Sequence, residues 1–136
     1  MVRYVNSRPP KEDFWKLFET TGWNQNYQLT IDELDAALDY SWVCISAYED
    51  DDLVGFGRIV SDKVVHAMIF DLIVVPEFQN RGIGSHILDK LLDICQTENI
   101  RDIQLFSAKG KADFYIKRGF EARPTDAPGM QFSRKD

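Results

Sequence analysis

The sequence predicts an α/β domain with a mixed central sheet flanked by helices. Stretches typical of strands alternate with stretches typical of helices, and one long strand is apolar on both of its faces. A proline and two glycines separate that strand from an amphipathic helix. A strand that is apolar on both sides belongs inside a sheet that is covered on both faces. At 136 residues, the chain is expected to form a single domain with one core, residues 1–136.

The individual elements follow from β-formers, helical apolar spacing and turn residues. The predicted strands are Met1–Val5, Trp42–Tyr48, Leu53–Val60, Val64–Val75, Ile103–Phe106, Phe120–Ala122 and Met130–Ser133. The predicted helices run from Pro9 to the breakers at Thr20, from Thr30 to Tyr40, from Gly82 to Thr97, and from Gly110 to Arg118. Thr30 and Glu33 have the spacing of a capping box, which fixes the start of the second helix. The polar segment WNQNYQ after Gly22 is predicted to be a loop.

Charge and composition limit the function classes. Sixteen basic and 22 acidic residues give a net charge of −6, which disfavours nucleic acid as the main partner because such proteins need a basic face. No signal peptide and no run long enough to span a bilayer is found, so no membrane role and a cytoplasmic location are expected. Cys44 and Cys95 lack metal-ligand spacing and are interpreted as buried free thiols, and no metal is expected.

The long strand Val64–Val75 contains one charged side chain among apolar residues, Asp71. Strict alternation would put Ile69 and Ile73 on the same face of this strand. A carboxylate in such a strand needs an ionic partner or a raised pKa. Two interpretations stay open: Asp71 is a base or acceptor-binding residue, or it is structural and paired with an arginine such as Arg58.

The segment after this strand has the features of an anion site. Pro76 has no N–H to give to a sheet, so the strand should end there, and Gly82 and Gly84 open the next helix. The first N–H groups of a helix lack partners and carry partial positive charge, which suits a phosphate. The segment has neither the Lys-Ser/Thr pair of a P-loop nor the GxGxxG spacing of a dinucleotide site.

At these residues the chain resembles the GNAT superfamily of acetyl-CoA-dependent N-acetyltransferases, whose loop pattern is Q/R-x-x-G-x-G/A. The segment Gln79–Gly84, QNRGIG, matches that pattern and follows VVPEF, an apolar strand with Pro-Glu-aromatic. Phe114–Phe120, FYIKRGF, is similar to a second family motif, aromatic-Tyr-x-x-x-Gly-Phe. AMIFD at Ala67–Asp71 and the pair Gly129-Met130 resemble a bacterial and plastid-type group that includes plant serotonin and lysine N-acetyltransferases. The resemblance implies the GNAT acyltransferase fold, with a mostly antiparallel sheet.

The resemblance also implies a cosubstrate, acetyl-CoA, and direct attack of a primary amine on its thioester. The residues that it places at the coenzyme are Leu72, Ile73, Val74, Val75, Gln79, Asn80, Arg81, Gly82, Ile83, Gly84, Ser85 and Tyr115. Main-chain N–H groups of Arg81–Ser85 would hold the pyrophosphate, and a bulge at Leu72–Val75 would expose main chain to the pantetheine arm. An N–H at Ile73 or Val74 would polarise the thioester carbonyl. Tyr115 is the implied general acid for the leaving thiolate, and Asp71 the candidate base.

The acceptor site is expected among the N-terminal helices. Trp23 and Tyr27, with Asp71, are the candidate acceptor-binding residues, since aromatic faces attract ammonium groups; core packing is the alternative for the two aromatics. The acceptor is an amine of a small molecule or a protein lysine, and a homodimer is a candidate assembly because homodimers are common in the superfamily. Two rival functions stay open: a coenzyme A-binding sensor or interaction module without turnover, and an acyltransferase that uses another acyl-CoA.

Overall fold

Residues 1–134 are described by a computed structural model, in which the chain divides into two units, Met1–Leu105 and a second unit that begins at Phe106. The strands of the first unit are β1 Val2–Val5, β2 Val43–Glu49, β3 Asp52–Ser61, β4 His66–Val74 and β5 Asp102–Leu105. Its helices are α1 Lys11–Glu19, α2 Asn24–Tyr27, α3 Ile31–Ala37 and α4 Ile83–Thr97, with 3₁₀ turns at Leu38–Tyr40 and Pro76–Phe78. The helix of the second unit is α5, Ala112–Ile116.

The five strands form one sheet in the order β1-β2-β3-β4-β5. Neighbouring strands are antiparallel except for β4 and β5, which are parallel. Helix α4 supplies the crossover that a parallel pair requires. The predicted α/β class, with a mixed and mostly antiparallel sheet flanked by helices, is therefore confirmed.

Helices α1 and α3 pack on one face of the sheet. The capping box at the start of α3 is confirmed: Thr30 Oγ1 accepts from Glu33 N–H at 3.1 Å, and Glu33 Oε1 accepts from Thr30 N–H at 2.9 Å. The buried side chains of this layer form one cluster, Phe14, Leu17, Phe18, Leu34, Leu38, Phe56 and Ile73. Burial of the apolar surface of these side chains away from water holds the two helices on the sheet.

Helix α4 covers the other face of the sheet, where β3 carries two glycines. A Cβ at Gly57 would lie 3.0 Å from Ile87 and 3.0 Å from Leu91, and a Cβ at Gly55 would lie 3.0 Å from Ile87. These distances are shorter than side-chain carbons tolerate, so the glycines allow α4 to approach β3 closely. A Cβ at Gly55 would also lie 3.1 Å from Ile83, the first residue of α4, so the close approach extends to the start of the helix.

Strand β4 contains a bulge that changes which of its side chains share a face. Phe70 pairs with Arg58 and Ile73 pairs with Phe56, so Asp71 and Leu72 together oppose one residue of β3. The extra residue reverses the alternation: Ile73 faces the α1 and α3 layer, whereas Ile69 pairs with Ile59 on the α4 face. The prediction that Ile69 and Ile73 share a face was wrong for this reason. The bulge lies at Asp71 and Leu72, so it begins one residue before the range Leu72–Val75 that the resemblance implied and overlaps that range at Leu72.

Two further predictions differ from the structure. The segment WNQNYQ was expected to be a loop, but it contains the single-turn helix α2, braced by Asn24, whose side chain exchanges hydrogen bonds with the main chain of Leu29. The strands predicted at Phe120–Ala122 and Met130–Ser133 are absent, since residues 120–134 adopt no strand.

Within residues 1–134, none of the helices combines the length and the apolar character needed to cross a bilayer.

Candidate active site

The glycine loop joins the end of β4 to the start of α4 in a tight path. A 3₁₀ turn at Pro76–Phe78 ends the strand, and the Gln79 side chain then donates from Nε2 to the Val74 carbonyl at 3.0 Å. Asn80 has φ of +66° and Gly82 has φ of +83°. Both values lie in the left-handed region, which glycine adopts without steric cost and asparagine tolerates better than most residues. The Gln79 contact and these two residues together fix where α4 begins.

The first turn of α4 presents main-chain N–H groups to the surface. Helix α4 begins at Ile83, its N-cap is Gly82, and no side chain caps this end among the described residues. The first intrahelical bond is donated by His86 N–H to the Gly82 carbonyl at 3.0 Å, so the N–H groups of residues 83–85 precede the ladder. Arg81 stands beside them, exposed, with its guanidinium 4.7 Å from the Phe78 ring centroid. This donor set fits a pyrophosphate.

The end of β4 has an edge that β5 does not cover. The parallel pairing runs from His66 with Asp102 to Ile69 with Leu105, whereas β4 continues to Val74. Val75 N–H donates to the Val54 carbonyl on β3 at 2.9 Å. Because main-chain groups alternate along a strand, Ile73 N–H also faces β3, and Val74 N–H faces the uncovered edge. Between the two positions that the sequence analysis left open, this alternation favours Val74 as the free donor.

Asp71 lies in the bulge with an arginine partner. Its φ is +56°, and its Oδ2 accepts from Arg58 Nε at 2.7 Å. The two side chains are 20% and 14% exposed, so their contact is screened little by water. Arg58 is the arginine that the sequence suggested as a partner if Asp71 has a structural role. The pairing occupies Oδ2, so an acceptor group would have to approach Oδ1.

Tyr115 lies on α5 in the second unit, within a small aromatic group. Its ring contacts Phe114 and Phe120 edge-on, with centroids 5.1 Å and 5.9 Å away. Gly119, with φ of +97°, turns the chain after α5, and Phe120 N–H then donates to the Tyr115 carbonyl at 3.1 Å. Burial raises the pKa of the Tyr115 hydroxyl above its ordinary value of 10.0. The hydroxyl therefore keeps its proton at neutral pH.

The two aromatic acceptor candidates have different surroundings. Trp23 is half-buried and meets the Phe18 ring nearly edge-on, with centroids 5.9 Å apart, at the border of the α1 and α3 cluster. Tyr27, on α2, is 66% exposed. Trp23 thus contributes to packing whatever else it does, and Tyr27 is the one that presents its ring to solvent.

A separate cavity of about 540 Å³ opens at the other end of the sheet. Its wall includes Arg8, Ser41, Trp42, Cys44 and Glu98. The beginning of β2 lies there, beside Ile59 of β3, whereas the glycine loop follows the end of β4, beside Gly55. The cavity is therefore distinct from the loop site.

Comparison with known proteins identifies the family to which this arrangement belongs. The sequence profile described as the Acetyltransferase (GNAT) family matches residues 9–120. The chain belongs to the GNAT acetyltransferase family. The matched range contains the whole of the glycine loop, the β4 edge and Tyr115, and the expectation of an N-acetyltransferase is confirmed at the level of the family.

Relatives of this GNAT chain include named acetyltransferases of Gracilaria, Glycine max and Arabidopsis thaliana. It is 30% identical over 129 residues to a protein of the red alga Gracilaria tenuistipitata var. liui named uncharacterized N-acetyltransferase ycf52, and the match covers 92% of this chain and 69% of that protein. It is 30% identical over 129 residues to a Glycine max protein named histone acetyltransferase TAP1, with coverage of 87% and 54%. A chloroplastic GCN5-related N-acetyltransferase of Arabidopsis thaliana is 38% identical over 78 residues, which are 57% of this chain and 30% of that protein. The chain thus spans from about a third to two thirds of the length of these relatives.

Solved structures agree with the GNAT assignment. A GNAT family acetyltransferase from Streptococcus pneumoniae is 28% identical, covers 100% of both chains and has a TM-score of 0.81. A probable acetyltransferase from Staphylococcus aureus has a TM-score of 0.83 at 23% identity and covers 98% of this chain and 100% of its own. At that lower identity the likeness shows the fold alone.

Proposed function

We propose that this GNAT chain transfers the acetyl group of acetyl-CoA to a primary amine. One observation carries the proposal: a single loop connects the edge of β4 that β5 leaves uncovered to the uncapped first turn of α4, and the Gln79 side chain of that loop is bonded to Val74 at the end of β4. The turn suits the phosphates of a coenzyme, and the edge suits an extended arm that carries amide groups. A ligand with both parts in sequence is coenzyme A.

The loop would hold the coenzyme by its charged end. Main-chain N–H groups of residues 83–85 and the exposed Arg81 guanidinium can donate charge-assisted hydrogen bonds to phosphate oxygens. Gln79 acts here as a brace, since its amide is already bonded to the Val74 carbonyl. Asn80 and Gly82 contribute through their left-handed backbone conformation, which helps to fix where α4 begins.

The β4 edge would hold the reacting end. The pantetheine arm can lie along the edge of β4 beyond the bulge, with Val74 N–H as the outward donor, which places the thioester beside the bulge. The Val74 carbonyl on that edge already accepts from Gln79, so the N–H is the group that it leaves open. The Val74 N–H then donates to the carbonyl oxygen as negative charge develops on it. An aimed backbone donor of this kind lowers the barrier by about 3 kcal/mol.

The acceptor amine must lose a proton before it attacks. A lysine-like amine with a pKa of about 10.4 is neutral in roughly one molecule in a thousand at pH 7.4, which costs about 4 kcal/mol. Asp71, through Oδ1, is the candidate to receive the ammonium group or its proton. Tyr27 has an exposed ring and is the candidate for a cation–π contact with an acceptor amine. The relative named histone acetyltransferase TAP1 supports a protein lysine as one acceptor class.

The leaving thiolate needs a proton in return, and Tyr115 is the proposed donor. Its hydroxyl carries a proton at neutral pH and can give it to the sulfur as the carbon–sulfur bond breaks. The resulting phenolate then regains the proton that the amine nitrogen loses as the amide forms, so that one amine and one thioester give one amide and one thiol. The homodimer and the cytoplasmic location stay predictions.

Thiol release measured with a panel of polyamines, arylalkylamines and lysine peptides tests the proposal. We expect amine-dependent release from acetyl-CoA that exceeds the release from succinyl-CoA. Faster release from succinyl-CoA would favour the rival acyl donor. Tight binding of acetyl-CoA in calorimetry without turnover of any amine would favour the sensor or interaction module.

A further inference from the structure

We propose that Arg58 is a positioning residue for acetyl transfer, because it holds the β4 bulge in the conformation that exposes the reacting edge. The inference rests on the proposed function and extends it to a side chain that lies outside the glycine loop and the implied coenzyme contacts. Arg58 acts through Asp71, and it is not itself placed against the coenzyme.

The bulge is the part of the strand that needs support. Asp71 and Leu72 oppose a single position of β3, and Asp71 has φ of +56°. A side chain with a Cβ is strained in that region, so other contacts must maintain it. The bulge also decides which N–H groups beyond it face the open edge. Loss of the extra residue from the pairing would turn Val74 N–H towards β3 and Ile73 N–H outwards.

Arg58 supplies contacts from three directions. Its Nε donates to Asp71 Oδ2 at 2.7 Å, and its Nη1 lies 3.1 Å from the Ala37 carbonyl and 3.2 Å from Ser41 Oγ. These partners belong to the bulge, the end of α3 and the chain just before β2. The Phe70 ring lies beneath the guanidinium at 5.5 Å. A planar guanidinium can make all these contacts at fixed angles, and the single ammonium group of lysine cannot.

The consequence separates the two halves of the proposed coenzyme site. The phosphate contacts depend on the first turn of α4, which Arg58 does not touch. The pantetheine and carbonyl contacts depend on the edge beyond the bulge. Loosening the bulge should therefore weaken the edge contacts and the chemistry while the phosphate contacts persist.

The test compares Arg58→Lys with Arg3→Lys. Arg3 is a matched control because it also makes a cation–π contact, 4.9 Å above Tyr48, and a hydrogen bond to the Asp50 carbonyl, but it lies on β1. Calorimetry gives the affinity for 3′-phospho-ADP, the nucleotide half of coenzyme A, and for coenzyme A itself. Thiol release gives kcat, and circular dichroism with a melting curve reports folding.

For Arg58→Lys we expect kcat to fall at least about tenfold, since a small misplacement of a reacting group is that costly. The affinity for coenzyme A should fall, and the affinity for 3′-phospho-ADP should stay within about twofold of wild type, below 0.5 kcal/mol by the usual conversion. Arg3→Lys should match wild type in kcat and in its affinities for coenzyme A and 3′-phospho-ADP. A folded Arg58→Lys protein with wild-type kcat would overturn the proposal, as would an equal loss of affinity for both ligands.

A second variant approaches the same contact from its other side and covers a folding failure of the first. Asp71→Asn keeps an oxygen for Arg58 but removes the charge. If Asp71 acts by holding the bulge, kcat/KM of the variant falls by the same factor at every pH. Its affinity for coenzyme A then falls as well, while its affinity for 3′-phospho-ADP stays close to that of wild type. Unchanged coenzyme A affinity in folded Asp71→Asn, with the loss confined to kcat, would show that the contact does not hold the edge and would overturn positioning. A changed pH profile together with the affinity split would add proton transfer to the role of Asp71 and would leave the positioning role of Arg58 supported. If wild type binds coenzyme A but turns over no amine, the proposed function fails, whereas the affinity split still decides the role of Arg58.

Discussion

Replacing Gly82 with alanine tests whether the glycine loop needs the left-handed backbone conformation of Gly82, because the added methyl group has room there. Gly82 has φ of +83°, and a Cβ built there would meet no described atom within 4 Å, so strain is the only local cost. A residue with a Cβ costs about 1–2 kcal/mol in this conformation. The loop is exposed and can relax in the free protein, but a bound phosphate would require the original conformation again. The strain should then appear as lost affinity, about fivefold to thirtyfold in Kd.

Gly22→Ala is the matched control for this experiment. Gly22 has φ of +76°, also with no described atom within 4 Å of an added Cβ, and it follows α1 far along the chain from the loop. Calorimetric titration with 3′-phospho-ADP should show weaker binding for Gly82→Ala and wild-type binding for Gly22→Ala. Melting curves show whether either protein keeps the strain as lower stability. Wild-type affinity in a folded Gly82→Ala protein would refute the role given to the loop.

Three further predictions concern the acid, a helix cap and the thiols. Tyr115→Phe should lower kcat by more than about tenfold, with Tyr40→Phe, an 83% exposed tyrosine, as control; an unchanged rate removes Tyr115 from the mechanism. Thr30→Ala breaks the capping box and should lower the free energy of unfolding by about 1 kcal/mol in denaturant titrations, without changing coenzyme affinity. Cys95 is buried as predicted, whereas Cys44 is only half-buried, in the wall of the cavity, so the prediction of burial was wrong for Cys44. Cys95 should therefore react with a disulfide reagent at pH 8 much more slowly than Cys44, and equal labelling rates would contradict this difference. Partial or full burial raises the pKa of both thiols. The same raised pKa means that these thiols favour folding below pH 9.0, their ordinary pKa, and that this contribution is lost as the pH rises further.

The sequence was sufficient for the features that local chemistry determines. Thr30 with Glu33 predicted a helix start because a capping box is satisfied within four residues. Pro76 and the glycines of the loop predicted a strand end and a helix start because their backbone limits are intrinsic. Asp71 was singled out because a lone carboxylate in an apolar strand must have a partner, and Arg58 is that partner.

Features that depend on pairing between distant segments could not be predicted in the same way. The bulge changes the alternation of β4 because of how β4 aligns with β3, and a period-two pattern carries no sign of the extra residue. The strands expected at Phe120–Ala122 and Met130–Ser133 are absent, and Met130 and Phe132 are 83% and 86% exposed. A short run of β-formers becomes a strand only where a neighbouring strand takes its hydrogen bonds. The helix α2 was missed because three of its four residues, two asparagines and a tyrosine, have weak helical propensity, and a side-chain bridge from Asn24 supports the turn that follows.

Amide chemical shifts recorded while coenzyme A is titrated into the ¹⁵N-labelled protein test whether the coenzyme binds at the glycine loop and the β4 edge. We expect the largest changes at two places, the first turn of α4 at residues 82–85 and the edge amide of Val74, with a smaller change at Ile73, whose N–H faces β3. Titration with 3′-phospho-ADP should reproduce the changes at the α4 turn alone. Shifts centred instead on the cavity residues Ser41 and Cys44, with the loop and the β4 edge unchanged, would show that coenzyme A does not bind at the glycine loop.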